Sequence, residues 1–486
     1  MPRIPFWPFT PRGASSTGAP IFPIASLAGS AQPDRPSVWP PPEHEERLAR
    51  YERYRNLYMG RHFEVFHDPL RGADHDLFSQ YYVAVNLAAQ VSQVAADLLF
   101  GEPPQFAAER DSLQGLIDDL VRRNDLISQL QRTARGQSYR GDAVFKARWE
   151  PDAETGGRVI LAPLAPDMYF PIFDPDDPSQ VKSVWVAWLR PDAQGEPTIL
   201  RVEVHTPGRI QNLAFPYRNG RLGSPLSLES LSPDLPEEVI TGLDEIPLVH
   251  IPNAQTDDSG PFGISDYAFF EPIQREINNR LSQIGTVLDK HADPNMVIPL
   301  QALDAQGEFR AVTQKAWPID QGDPRPEYIT WDGKLESAFR ELEMLEEFFF
   351  LASGVSPSTL GVSTGVGFGG STESGRAIQL RQIRTLKWIE NKRASWTTGL
   401  KRLFRIAQKL LIAHGGFPSG ERAEPTPVQI LWRDGLPTDR AADIDDAVHA
   451  VQGGVMSLRR GIQLAQGLEG EGLASEEAQI RADRGA

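Results

Sequence analysis

The residues best spaced for chemistry are Gly365-Val366-Gly367-Phe368-Gly369-Gly370, which fit the GxGxxG pattern of a dinucleotide-binding turn, with Glu390 twenty residues beyond. In that chemistry the glycines let backbone amides approach a pyrophosphate at a helix N-terminus, and the turn must follow a strand inside a βαβ unit. A helical pattern precedes this one, so the glycines predict a mobile loop from Ser363 to Ser371 instead. His44-Glu45 opens an HExxH-like string, but Leu48 stands where the second histidine of a zinc site belongs. Asp174, Asp176 and Asp177, set between Pro171, Pro175 and Pro178, have the composition of a turn. The nine histidines show no ligand spacing, and no GxSxG, Walker or paired-carboxylate arrangement stands out. No cofactor, no metal and no catalysis are expected.

The other concentration of chemistry is positive charge. Arg376, Arg381, Arg384, Lys387, Lys392, Arg393, Lys401, Arg402, Arg405 and Lys409 face only Glu373 and Glu390, in a chain whose net charge is -16. Ala377, Leu380, Ile383, Leu386, Ile389, Trp396, Leu400, Leu403, Ala407 and Leu410 recur mostly three or four apart, so these cations belong to one α-helix. Thr372 suits its N-cap, Glu373 the positive end of its dipole, and Gly415-Gly416 its stop. About 40 residues at 1.5 Å each make a rod of roughly 60 Å, too long for the interior of one small domain. Its cations are expected either to touch a polyanion or to pair with an acidic neighbour. The ready partner is the helical stretch Leu335 to Leu351, with Glu336, Glu341, Glu343, Glu346 and Glu347.

A chain of 486 residues is long enough for two to four domains. It has no cysteine, which excludes structural disulfides and thiolate metal sites. Neither a stretch of 18 apolar residues nor a basic-then-apolar leader appears, so a soluble protein made inside the cell, with no membrane contact, is expected. The excess of 65 acidic over 49 basic residues argues against a surface that wraps nucleic-acid phosphates.

In chain order, residues 1–43 are a proline-rich flexible arm carrying Phe6 and Trp7. Helices are expected from Glu43 to Tyr58, Asn86 to Leu99 and Ser112 to about Arg135. The period then changes to that of strands: Ala143 to Trp149, Arg158 to Leu164, Val181 to Leu189, Ile199 to His205, Arg209 to Phe215 and Leu248 to Ile251, with turns at Pro207-Gly208 and Asn219-Gly220. Residues 44–263 thus read as an α+β unit. A helix starting near Pro272, short strand-like pieces at Met296 to Leu300 and Glu327 to Trp331, a returning helix from Leu335, the glycine loop and the long helix follow. The tail offers a strand at Val428 to Trp432, helices from Asp439 to Val451 and Ser457 to Gln466, and a small, polar, loose end from Glu469 to Ala486.

The order of these parts resembles the portal proteins of tailed bacteriophages, the head-to-tail connectors, in their long-tailed (siphophage) branch. Tyr58-Met59-Gly60-Arg61-His62, Val85-Asn86 and Leu99-Phe100-Gly101-Glu102-Pro103 look like the opening of that family's wing. Ser374-Gly375-Arg376-Ala377-Ile378 resembles the Ser-Gly-x-Ala-Leu start of its tunnel helix, with Ile378 in place of leucine. Trp432-Arg433-Asp434-Gly435-Leu436-Pro437 and Gly453-Gly454-Val455-Met456-Ser457 resemble its crown.

The resemblance implies an α+β portal fold assembled as a ring. Its parts would be a wing at 44–263, stem helices at 264–292 and 334–353, a small α/β clip at 293–333, a tunnel loop at 354–373, a tunnel helix at 374–414 and a helical crown at 415–486. It further implies a ring of about 12 subunits at one capsid vertex of a virion, assembled in the host cytoplasm, that conducts double-stranded DNA without sequence preference during packaging and ejection. Partners implied are the terminase, head-completion and adaptor proteins, and major capsid and scaffolding proteins. Gly365 to Gly370 would face DNA, with Val366 and Phe368 as a soft valve. Ser374, Gly375, Arg376, Arg381, Arg384 and Lys387 would open the tunnel helix. Trp317, Tyr328 and Trp331 of the clip would dock terminase or adaptor. The rival readings are a cytosolic enzyme with a glycine-loop ligand site between the α+β and helical halves, and a structural head protein with no axial channel.

Because so acidic a chain can present few cations to phosphates, free double-stranded DNA is expected to bind weakly and lose that binding at moderate salt. Tight, sequence-selective binding at physiological salt in a titrated fluorescence-anisotropy assay would contradict this.

Overall fold

The computed structural model describes residues 38–67, 82–152, 156–177, 179–191, 197–231, 234–292, 296–297, 327–328, 335–360, 375–433, 440–459, 461–462 and 470–485. The mixed helix and strand content expected from the sequence is present. Helix α1 (Pro42–Tyr58) begins with proline in its first turn beside Glu43 and Glu45, and carries Arg55 in its last, the arrangement that suits free amides and the dipole. After α2 (His62–His67) comes α3 (Leu87–Phe100), capped by Asn86, whose side chain accepts from Ala89 N at 3.0 Å.

The third helix, expected as one from Ser112 to Arg135, is two: α4 (Gln114–Arg123) and α5 (Leu126–Arg140). The break falls at Asp125, whose φ is 47°, and Asn124 explains it. Its buried amide donates to Leu120 O at 2.9 Å and Val159 O at 3.2 Å, and accepts from Leu161 N at 2.8 Å. A side chain that must satisfy both a helix end and a neighbouring strand cannot also continue the helix.

Two sheets follow. The smaller has the order β10-β2-β3, from β2 (Asp142–Glu150), β3 (Arg158–Leu164) and β10 (Leu248–Pro252). The larger runs β4-β5-β6-β7-β8 through β4 (Tyr169–Phe173), β5 (Val181–Pro191), β6 (Pro197–Thr206), β7 (Arg209–Arg218) and β8 (Arg221–Leu222). In it β9 (Glu238–Ile240) also pairs with β7, past the short α6 (Leu228–Leu231). Asn219 and Gly220, at φ 50° and 78°, make the β7–β8 turn that their types predict. Strand β4 escaped the sequence reading because Pro171 interrupts it; as an edge strand it can spare that amide. Asp174 and Asp177 close the β4–β5 turn, accepting from Asp176 N and Ser179 N at 2.9 and 3.0 Å.

Helix α7 (Glu271–Ala292) and α8 (Glu336–Ser353) then precede α9 (Gly375–Ala413), of 39 residues. Among the described residues between α7 and α8, β11 (Met296–Val297) pairs antiparallel with β12 (Glu327–Tyr328). No described helix is long and apolar enough to cross a membrane.

The main core gathers around α9. Trp396, Leu400, Leu403, Phe404, Ala407 and Leu410 pack against Phe100, Phe145, Leu161 and Ile251. Gly399 permits the approach of helix to strand, since a Cβ there would stand 2.5 Å from the Ile251 side chain. Strand β1 (Gln105–Ala108), which the sequence did not announce, pairs with β13 (Val428–Leu431) across most of the chain length, placing Phe106 and Ile430 in the same core. Beyond it lie α10 (Arg440–Gln452) and α11 (Gly470–Gly485). The tail expected to be loose is therefore helical: Leu473 is buried and Arg481 bonds Glu477 one turn earlier at 2.6 Å.

Asn124→Ala removes three bonds and strands buried backbone groups, so it should lower unfolding free energy by about 2 kcal/mol in urea titrations. A change below about 0.5 kcal/mol would show that Asn124 does not set the helix break.

Candidate functional site

Lys392 stands in the apolar stripe of α9, three residues after Ile389 and four before Trp396, both buried. Its side chain, 4% exposed, donates to both carboxylate oxygens of Asp266 at 2.8 and 2.9 Å and to Asn253 Oδ1. Asp266, equally buried, also accepts from Ser138 Oγ at 2.7 Å and Asn253 Nδ2 at 2.9 Å. Ser92 Oγ extends the network to Ser138 and Tyr267 at 3.0 Å each. Burial pushes the Lys392 ammonium below its ordinary pKa, and Asp266 opposes that shift. One lysine thus ties the long helix to α3, α5, the residue after β10 and the turn before α7. The turn is tight: a Cβ on Gly263 would fall 2.0 Å from Gly141 O.

Among the described residues, the ion pairs of the C-terminal half of α9 go to the turn before β10 and not to the acidic helix. Arg405 and Arg402 reach Glu245 at 2.9 and 3.5 Å, and Lys409 reaches Asp244 at 2.6 Å and Glu245 at 2.8 Å. Burial alone would raise the Glu245 carboxyl, but bonds from Lys409 and Arg405 hold it below its usual range. Arg393 donates to Leu98 O at 3.1 Å and lies over the Trp432 ring. Lys387 bonds Glu390 on its own helix at 2.7 Å, with both side chains largely exposed. The described ion pair of α8 is instead Glu341 with Arg280 of α7, because α8 packs along α7. The pairing of α9 with acids expected from the sequence is present, with different acids.

Helix α8 is apolar on more than one face. Phe349 is buried against Phe270, yet Met344, Phe348 and Leu351, spaced four and three apart, are 50%, 50% and 58% exposed. Ile383 of α9 and Leu288 of α7 are also exposed.

Of the residues singled out in the sequence, Gly365, Val366, Gly367, Phe368, Gly369, Gly370, Ser374, Trp317 and Trp331 lie outside the described residues, as does the N-cap Thr372. Gly375, Arg376 and Arg381 fall within the first turns of α9, and Tyr328 pairs with Met296 in β12. Arg384 and Lys387 are exposed. The sequence reading missed Asp266 and Asn253, although a lysine within an apolar stripe signals a buried acid somewhere in the chain. Among the described residues no group of His, Asp and Glu is placed to hold a metal ion.

The profile of the family described as phage portal protein, SPP1 Gp6-like, matches residues 41–485. No curated protein matches the chain. Similar solved structures include the neck of an empty GTA particle computed with C6 symmetry, at 14% identity, covering 80% of this chain and 91% of that one with a TM-score of 0.44. The neck of a native GTA particle computed with C12 symmetry is 13% identical, covering 78% and 89%, with a TM-score of 0.40. The virion of a native gene transfer agent particle gives 14%, 90% and 96%, with a TM-score of 0.42.

Lys392→Met leaves the Asp266 charge buried with only neutral donors and should destabilise by about 3–5 kcal/mol in denaturant titration. Adding Asp266→Asn should recover part of that loss, and strictly additive effects would mean the two side chains do not act as a pair.

Proposed function

This chain belongs to the SPP1 Gp6-like phage portal family, and we propose that about a dozen copies close into a ring at one capsid vertex, through which double-stranded DNA enters and leaves. The observation that carries this reading is the exposed apolar row Met344, Phe348 and Leu351 on α8. A single copy leaves it in water at a cost that contact with another copy removes, and a face that differs from its contact surface builds closed rings by repetition. The acidic balance supports a conduit, since a lumen that repels phosphates lets DNA slide where a basic one would hold it by counterion release.

On this reading residues 44–263 form the wing, 264–292 and 334–353 the stem, 293–333 the clip, 354–373 the tunnel loop, 374–414 the tunnel helix and 415–486 the crown. The neutral loop Gly365 to Gly370 touches DNA without trapping phosphates. Arg384 and Lys387 lie on the exposed start of the tunnel helix, and Trp317, Tyr328 and Trp331 belong to the clip that receives terminase and adaptor proteins. The role is structural. The rival enzyme needs a ligand pocket beside the glycine loop. A described cavity of ≈ 290 Å³ lies between Arg132 and Arg140 of α5 and Pro163 and Leu164 of β3, and the glycine loop lies outside the described residues.

Native mass spectrometry should find a ring of about a dozen chains, and Met344→Glu with Phe348→Glu should yield monomers with unchanged circular dichroism. Monomers or dimers of the unsubstituted protein at every concentration and salt would sink the reading.

A further inference from the structure

Helix α5 is unusual in so acidic a chain, since it holds Arg132, Arg135 and Arg140 and no aspartate or glutamate. Among the described residues none of the three donates a hydrogen bond or forms an ion pair, and Arg135 Nε is buried without a partner. By contrast Arg47 donates to Pro166 O at 2.9 Å and Tyr169 O at 3.0 Å, and Arg393 to Leu98 O. Arg132 and Arg140 both line the cavity of ≈ 290 Å³ whose opposite wall is the apolar run Pro163-Leu164-Ala165-Pro166.

Arg132, Gly136 and Arg140 follow one another at four-residue intervals and so share one face of the helix. Glycine is unfavourable inside a helix, and here the space it leaves is used: a Cβ on Gly136 would stand 3.0 Å from Arg140 Nη1. The Arg140 side chain folds back over Gly136, with its guanidinium carbon 4.7 Å from the centre of the Tyr139 ring. Tyr139, 8% exposed and stacked on Tyr58, lines the same cavity, and no described group bonds its hydroxyl.

The nearby acids do not cancel these cations. Asp142, in the cavity wall, is already committed: it accepts from Tyr51 Oη at 2.5 Å and Gly263 N at 2.8 Å and bonds His250 Nε2 at 2.6 Å. Arg47 meets the same Tyr51 hydroxyl at 3.4 Å and balances that carboxylate. Asp167 and Arg55 act on Tyr139 in opposite senses. Two guanidinium groups are left over.

We propose that this cavity is an anion site for a small phosphate, held by Arg132, Arg140 and the Tyr139 hydroxyl. Guanidinium forks match the oxygens of phosphates and carboxylates. Two forks and a hydroxyl approach from more directions than the two coplanar oxygens of a carboxylate, which suits tetrahedral phosphate. The volume lies at the small end of ligand pockets, so it takes inorganic phosphate or a phosphate monoester rather than a nucleic-acid strand. The site stands within one chain and does not depend on the ring.

Isothermal titration calorimetry of the full chain with inorganic phosphate, at an ionic strength held constant with chloride, should show one saturable site per chain. Arg132→Gln and Arg140→Gln should each weaken it at least tenfold, the scale of one charge-assisted hydrogen bond. Gly136→Met suits a helix, fills the space and should abolish binding with circular dichroism unchanged. Arg122→Gln, at an exposed arginine paired with Asp119, should leave binding as it was. Absence of a saturable phosphate site would overturn the proposal, and so would acetate binding as tightly as phosphate. Equal weakening by Arg122→Gln and Arg140→Gln would also overturn it, since the heat would then report the charge of the whole surface.

Discussion

The buried ion pair of Lys392 and Asp266 fixes where the long helix crosses the rest of the chain. Removing two charges from water costs several kcal/mol per ion, and attraction offsets it only where the remaining lone pairs are also satisfied. Here Asn253, Ser138 and Lys392 all donate to the one carboxylate. Apolar contacts along α9 repeat every turn and would tolerate a shift by one; a single ammonium that must meet a single carboxylate does not. The pair therefore supplies register rather than net stability, and register is what a 39-residue rod needs when much of it is packed into the core built by the rest of the chain.

On the C-terminal side of Lys392 the helix is the centre of that core, between α3, the smaller sheet and the β1–β13 ribbon. On the N-terminal side Ile383, Arg384 and Lys387 reach solvent, as does the apolar row of α8. The chain is thus anchored at one end and unfinished at the other. In the proposed ring the unfinished end meets a second copy, while Asp244 and Glu245 neutralise the cations nearest the anchored end. Surface pairs of this sort contribute little energy each, but they leave fewer free cations to grip a passing polyanion.

Much of the fold was legible as local pattern. The extents of α1 and α3 were legible in their helical period and the stop of α9 in Gly415, and strands β2, β3, β5, β6, β7 and β10 in alternation broken at Gly-containing turns. The errors have one origin. Asn124 ends a helix because a strand far along the chain needs its amide, β4 exists in spite of Pro171 because it lies at an edge, and β1 forms only because Val428–Leu431 comes back to pair with it.

The same division holds at the candidate site. By itself the sequence determined that a long amphipathic helix follows a glycine-rich stretch, that it is basic in an acidic chain, and that the order of motifs resembles that of a portal, because periodicity, charge and motif order are properties of neighbours in sequence. Tertiary structure alone decided that Lys392 meets Asp266, that Glu245 rather than the acidic helix takes Arg405 and Lys409, and that Met344, Phe348 and Leu351 stay uncovered in one copy. Those outcomes depend on which distant faces arrive together, and an ammonium or a phenyl ring carries no mark in sequence of the partner that packing will bring to it.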